Sequence, residues 1–226
     1  MRRVRDRSIA AAVMAGVIRN WLTHPGRPHS HLLTNVWIEL KRYGAPRVRN
    51  VELSQLRGID RVRVAGPVRR HSPLVLTALA MLLECETVFE LGPDTGDAAA
   101  LLAHNLPHAR IFLLDDDGDR PRQPDTGRIT HLSGDSFTTD LLPYSGTIDL
   151  VYIEGSGRYS HLGSDTEAAF GLLSELGSIV WDGYAGDPGV YAYLNQLEPT
   201  LDRPVFHLLG TRLALYSRWD ILVDER

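Results

Sequence analysis

A chain of 226 residues is long enough to bury a substantial core, and 43% hydrophobic, 8% aromatic and 23% charged residues exclude disorder and a fibrous repeat. No run approaches the roughly 20 apolar residues of a membrane span, and the single cysteine, Cys85, cannot close an internal disulfide, so a cytoplasmic protein is expected. The net charge of −4 hides an asymmetry: residues 1–70 hold fourteen arginines and Lys41 against four acids, a net +11, which leaves −15 for residues 71–226.

In chain order, residues 1–70 read as a basic appendage of helix and strand, a lid or dimer contact, and residues 71–226 as the main domain. The opening MRRVRDRSIAAAVMAGVI has basic residues before an apolar stretch, but that stretch is short and Arg19 and Asn20 follow directly, so a helix is expected rather than a leader. A second helix is expected in PHSHLLTNVWIELKRYG, stopped by Gly44 and Pro46, and a small strand pair in NVELSQLRGIDRVRVAG. SPLVLTALAMLLE reads as a helix capped by Ser72. Strands and helices then alternate: TVFELG, DAAALLAHNL, RIFLLD, ITHLSGD, IDLVYIEG, DTEAAFGLLSEL, SIVWDGY and PGVYAYLNQLE. This is the pattern of a parallel sheet with crossover helices on both faces. PVFHLLG and RLALYSR close the chain. Only Gly210 and Thr211 separate them, which makes them an antiparallel hairpin at the sheet edge.

Ligands of an open parallel sheet bind beyond the carboxyl ends of its strands. The first strand of this alternation runs into ELGPDTG, where Glu90, Gly92, Asp94, Thr95 and Gly96 lead into a helix. The glycines let backbone amides approach a ligand closely, and the helix start supplies N–H donors. The spacing is not that of a GxGxxG dinucleotide turn, and the acids Glu90, Asp94 and Asp97 oppose a pyrophosphate and suit a positively charged ligand bearing an amino acid group. Asp115 and Asp116, at the next strand end, are placed to accept from ribose hydroxyls. Asp135 and Ser136 follow the third strand, Glu154 the fourth and Asp182 the fifth. An acid after every strand is hard to attribute to loop solvation alone.

Those residues carry a resemblance. From about Ser72 to Ser217 the chain resembles the class I S-adenosylmethionine (SAM) methyltransferases, with ELGPDTG similar to their first motif, LLDDD to their ribose acid and GDS to their adenine contact. The resemblance implies a Rossmann-like SAM methyltransferase fold: a mainly parallel seven-stranded sheet, an antiparallel strand in its C-terminal hairpin, and helices on both faces. It implies that Glu90, Gly92 and Gly96, with Asp94 and Thr95 in the same turn, meet the methionine portion of SAM, Asp115 and Asp116 the ribose, Asp135 and Ser136 the adenine side, with Glu154 lining the same site. The stretch from IDLVYIEG to WDGY resembles a branch of small-molecule O-methyltransferases whose strands end in DGxHxY and WDDY. In metal-dependent members such acids hold a divalent cation, which here implies Glu154 and Asp182 as ligands of Mg²⁺. Three positions depart from that pattern: Glu154 stands for the first aspartate, Gly157 for the histidine and Gly183 for the second aspartate.

For methyl transfer to a hydroxyl the protein must align donor and acceptor and remove a proton. Asp182 is the first candidate base, with His161 and, less directly, Tyr159 behind it. Trp181 and Tyr184 are candidate walls for an aromatic acceptor. The expected function is O-methylation of a small molecule such as a sugar or secondary metabolite, by a protein that forms a homodimer. Nucleic acid is disfavoured, since no PPY motif follows IEGS and Lys41 is the one lysine. The alternative is a methyltransferase fold that transfers no methyl group, kept for binding or for another reaction such as cyclisation.

Overall fold

The computed structural model describes residues 47–67, 70–92, 96–115, 127–154 and 159–223. The helices expected before residue 47 lie outside the described residues.

Eight strands form one sheet: β1 (Arg49–Val51), β2 (Thr87–Leu91), β3 (Arg110–Asp115), β4 (Ile129–Ser133), β5 (Ile148–Ile153), β6 (Leu173–Trp181), β7 (Phe206–Leu208) and β8 (Ala214–Ser217), in the spatial order β1-β7-β8-β6-β5-β2-β3-β4. Every neighbouring pair is parallel except the two that β8 makes, with β6 and with β7. Helices α1 (His71–Leu82), α2 (Asp97–Asn105), α3 (Tyr159–Leu172) and α4 (Pro188–Leu197) cover it.

The alternation of side chains along each strand sorts the core into two layers. Val88, Leu113, Leu150, Tyr152, Val180 and Leu215 face the helix layer that holds Leu76 and Leu79 of α1 and Leu102 of α2. Phe89, Leu91, Leu114, Ile153, Ile179 and Trp181 face the other, with Leu172 of α3 and Leu194 of α4. All five residues of β2 are buried, as the central strand of a two-sided sheet requires. At the amino-terminal edge Asp149 ties three strands together: Oδ2 accepts from the amide of Thr87 (3.0 Å) and from its hydroxyl (2.9 Å), and Oδ1 from Ser174 Oγ (2.9 Å).

Five expectations are corrected. The sheet has eight strands rather than seven, because Arg49–Val51 leaves the basic segment and adds to the edge of β7. Its backbone bonds go to residues some 155 positions away, Arg49 N to Val205 O (2.9 Å) and Leu209 N to Val51 O (2.8 Å), a pairing that local alternation does not reveal. The C-terminal hairpin therefore lies inside the sheet, and the remainder of the expected strand pair forms two short 3₁₀ turns at Leu53–Gln55 and Ile59–Arg61. Ser72 is the second residue of α1 and not its cap; Arg70 precedes the helix without a side-chain capping bond. The helix expected through Leu176 ends at Leu172, and β6 starts at once with a register irregularity, Leu173 opposite Ile148 but Ser178 opposite Leu150.

Candidate functional site

The register across the middle of the sheet aligns the candidate acids. Leu91 pairs with Leu114 and with Ile153, and Ile153 with Trp181, so the next residues, Asp115, Gly92, Glu154 and Asp182, form a row at the carboxyl ends of β3, β2, β5 and β6. Backbone bonds extend one step past the strands to hold it: Gly92 N to Leu114 O (3.0 Å), Glu154 N to Leu91 O (3.1 Å) and Asp182 N to Ile153 O (3.0 Å). Two residues back lies a second row on the same sheet face, Leu113, Glu90, Tyr152 and Val180. Glu90 and Tyr152 thus sit directly beneath Gly92 and Glu154.

Gly92 leaves a gap in the upper row. Its φ of 70° is in the left-handed region, so backbone shape favours glycine, while a Cβ there would stand in ordinary contact, 3.4 Å from the Glu154 carbonyl oxygen. Gly96, also at φ 70°, begins α2 and turns its first amides toward the same end of the sheet. Asp94 and Thr95 of this turn lie outside the described residues, as does Asp116.

Glu90 is fully buried, and neither of its carboxylate oxygens has a hydrogen-bond partner among the described residues. Burial, then the charge and the approach of the neighbouring Glu154 side chain, then Asp115, push its carboxyl well above the usual carboxylate range. The Tyr152 hydroxyl is likewise buried without a partner among the described residues. Burial, then the charges of Asp182, Glu154 and Glu90, raise it too. A buried carboxyl and hydroxyl left unsatisfied at the carboxyl end of a parallel sheet are what a polar, positively charged ligand would complete.

The other predicted residues have partners within the protein. Asp135 accepts at Oδ1 from the amides of Phe137 (3.0 Å) and Thr138 (2.7 Å) and from the Thr138 hydroxyl (2.8 Å), which shapes the turn after β4. The Thr138 hydroxyl and amide hold its carboxyl below the ordinary value. Ser136 Oγ donates to Asp165 Oδ1 of α3 (2.5 Å). His161 lies in the first turn of α3, and its side chain is the last of the influences that lower the Asp135 carboxyl. Asp182 Oδ1 accepts from the Gly183 amide (2.6 Å) and faces Arg212 Nε at 3.4 Å. Trp181 and Tyr184, expected as acceptor walls, are core residues: Trp181 Nε1 donates to the buried Thr166 hydroxyl (3.0 Å), and the Tyr184 hydroxyl accepts from Asn195 Nδ2 (3.1 Å).

Three contributors escaped the sequence reading. Tyr152 was legible in principle, since it stands two residues before Glu154 on the same strand face. Arg212 reaches the site because β8 runs antiparallel: Ala214 pairs with Trp181, so the residues before it emerge at the carboxyl end of β6. Arg70, before α1, stands 4.0 Å from Glu154 Oε1. With a guanidinium beside each, Glu154 and Asp182 do not fit a divalent cation, and no group of three or more potential ligands occurs among the described residues. SAM, a sulfonium with an ammonium and several hydroxyls, does fit the unsatisfied Glu90 and Tyr152 beneath the glycine turn.

No family model matches the sequence, and no curated protein matches it. Solved structures do. A candidate caffeoyl-CoA O-methyltransferase from Staphylococcus aureus superposes with a TM-score of 0.55 over 84% of this chain and 100% of its own, at 13% identity. The fold is that of the class I SAM-dependent methyltransferases. A methyltransferase from Geobacter sulfurreducens matches at a TM-score of 0.52 and 17% identity, over 68% of this chain and 82% of its own. The O-methyltransferase TomG from Streptomyces achromogenes, involved in tomaymycin synthesis and solved with SAM, matches at 0.52 and 16% identity, over 78% and 92%. No helix among the described residues is long and apolar enough to cross a membrane.

Proposed function

We propose that this protein is a SAM-dependent methyltransferase that acts on an oxygen of a small-molecule acceptor. The observation that carries the reading is the unsatisfied, fully buried Glu90 beneath the glycine turn, at the end of the sheet where this fold class takes its ligand. Glu90, Gly92 and Gly96, with Asp94 and Thr95, hold the methionine end of SAM. Asp115 and Asp116 accept from the ribose hydroxyls, and Asp135 and Ser136 border the adenine side. Bound SAM supplies an electrophilic methyl group. The protein's own task is to hold the acceptor in line and take its proton, which falls first to Asp182 at the end of β6, with His161 as the second candidate. Residues 1–70 help to form the acceptor pocket or join two copies of the chain.

A second reading, a methyltransferase fold that binds without transferring, draws on Asp182 already being engaged by Gly183 N and Arg212. Incubation with methyl-labelled SAM and a panel of hydroxylated acceptors, with EDTA and with magnesium, separates the two. Labelled product supports the transferase. Tight binding of S-adenosylhomocysteine (SAH) with no product from any acceptor supports the second reading.

A further inference from the structure

Arg212 is held with more care than an incidental surface arginine needs. Its turn is clamped on both sides: Thr211 Oγ1 donates to Leu208 O (2.7 Å) and accepts from Leu213 N (2.9 Å), while buried His207 Nε2 donates to the Thr211 carbonyl (3.1 Å). Its guanidinium lies against Gly186, where a Cβ would come within 3.2 Å of Nε, so the side chain fills space that glycine leaves open. Its charge opposes in small part the rise that burial and the neighbouring acids impose on the Tyr152 hydroxyl. One edge faces Asp182, itself only 13% exposed, yet the arginine side chain is 57% exposed. A guanidinium carries five N–H donors, more than one carboxylate oxygen can satisfy.

We propose that Arg212 is the acceptor-binding residue of this site, a protein-borne cation that receives an acidic oxygen, a phenol or enol hydroxyl, beside Asp182. This rests on the transferase reading. The proton leaves the hydroxyl for Asp182, and the oxygen keeps its electron pair under the guanidinium charge as it becomes the nucleophile. Arg212 at 3.4 Å from Asp182 and Arg70 at 4.0 Å from Glu154 stand where a divalent ion would have to meet those carboxylates, and once Asp182 takes the proton the Arg212 charge is left to the acceptor oxygen without a metal.

The test uses the full chain without SAM and 4-nitrophenol as the probe, whose phenolate is read by absorbance across the neutral pH range with and without EDTA. Wild type is expected to bind the phenolate form and to shift the probe's ionisation to lower pH. Arg212→Gln is expected to weaken that binding about tenfold, as loss of a hydrogen bond between charged groups implies. Arg212→Lys should restore part of it and serves, with circular dichroism, as the control for folding. Equal phenolate titrations in wild type and Arg212→Gln, or binding in wild type that EDTA abolishes, would overturn the proposal. Because SAH is titrated separately, a wild type that binds no SAH sinks the transferase reading without touching the phenolate result.

Discussion

Replacing Glu90 with glutamine should make the free protein more stable at neutral pH and a poorer binder of SAM. The carboxyl is fully buried, lacks a partner among the described residues and has its pKa raised by burial and by Glu154. The native state therefore holds the proton more tightly than the unfolded chain does. Stability from this group is fully present below the ordinary carboxylate pKa and is lost as pH rises toward the raised native value. The loss reaches at most about 1.4 kcal/mol per pH unit for one proton. Glutamine keeps the shape and cannot ionise, so the difference between Glu90→Gln and wild type should grow as pH rises above the ordinary carboxylate value and level off only past the raised native one. Urea unfolding of both proteins at several pH values measures it. For SAM the sign reverses: removing a charged partner of the ligand should weaken binding about 10- to 100-fold. A stability difference that is flat with pH, or a Glu90→Gln protein that binds SAM as wild type does, would refute the reasoning.

Removing residues 1–46 should leave SAH affinity unchanged while impairing acceptor use or self-association, whereas removal through residue 70 takes β1 and the buried Val48, Val51 and Leu56, at a cost of about 5 kcal/mol read by urea unfolding. Asn195→Ala should cost about 3 kcal/mol and lower the melting temperature by roughly 10 °C. That side chain accepts from Arg47 N (2.6 Å) and Val48 N (3.1 Å) and donates to the Tyr184 hydroxyl, and alanine would remove all three bonds; an unchanged melt would contradict this. Cys85 is buried and its thiol pKa is pushed up, first by burial and then by Asp149, so it should resist thiol reagents in the folded protein and react on unfolding. Reaction of the native protein at a free-thiol rate would refute that.

The order of strands and helices from residue 71 onward was legible because each element is a short periodic run between turn residues; β3 begins and ends where RIFLLD does. The row of acids was legible for the same reason, since a carboxylate after each strand becomes a line once neighbouring strands share a register. What stayed hidden depends on distant partners. Arg49–Val51 is a strand only because β7 offers an edge, and Arg212 joins the site only because β8 reverses direction. Asp135 and Ser136 looked like free ligand groups, yet short turns and the approach of α3 give them protein partners that spacing alone does not disclose. Trp181 and Tyr184 follow the same lesson: an aromatic at a strand end packs inward when a hydroxyl such as that of Thr166, or an amide such as that of Asn195, waits behind it.

The central claim is that the end of the sheet around Glu90, Gly92 and Asp115 holds SAM. Calorimetric titration of the purified protein with SAM and with SAH tests it most directly, comparing wild type with Glu90→Ala and Asp115→Ala. One-to-one binding by wild type that both substitutions weaken is the predicted result. No heat of binding from either compound with a folded wild-type protein would contradict the account.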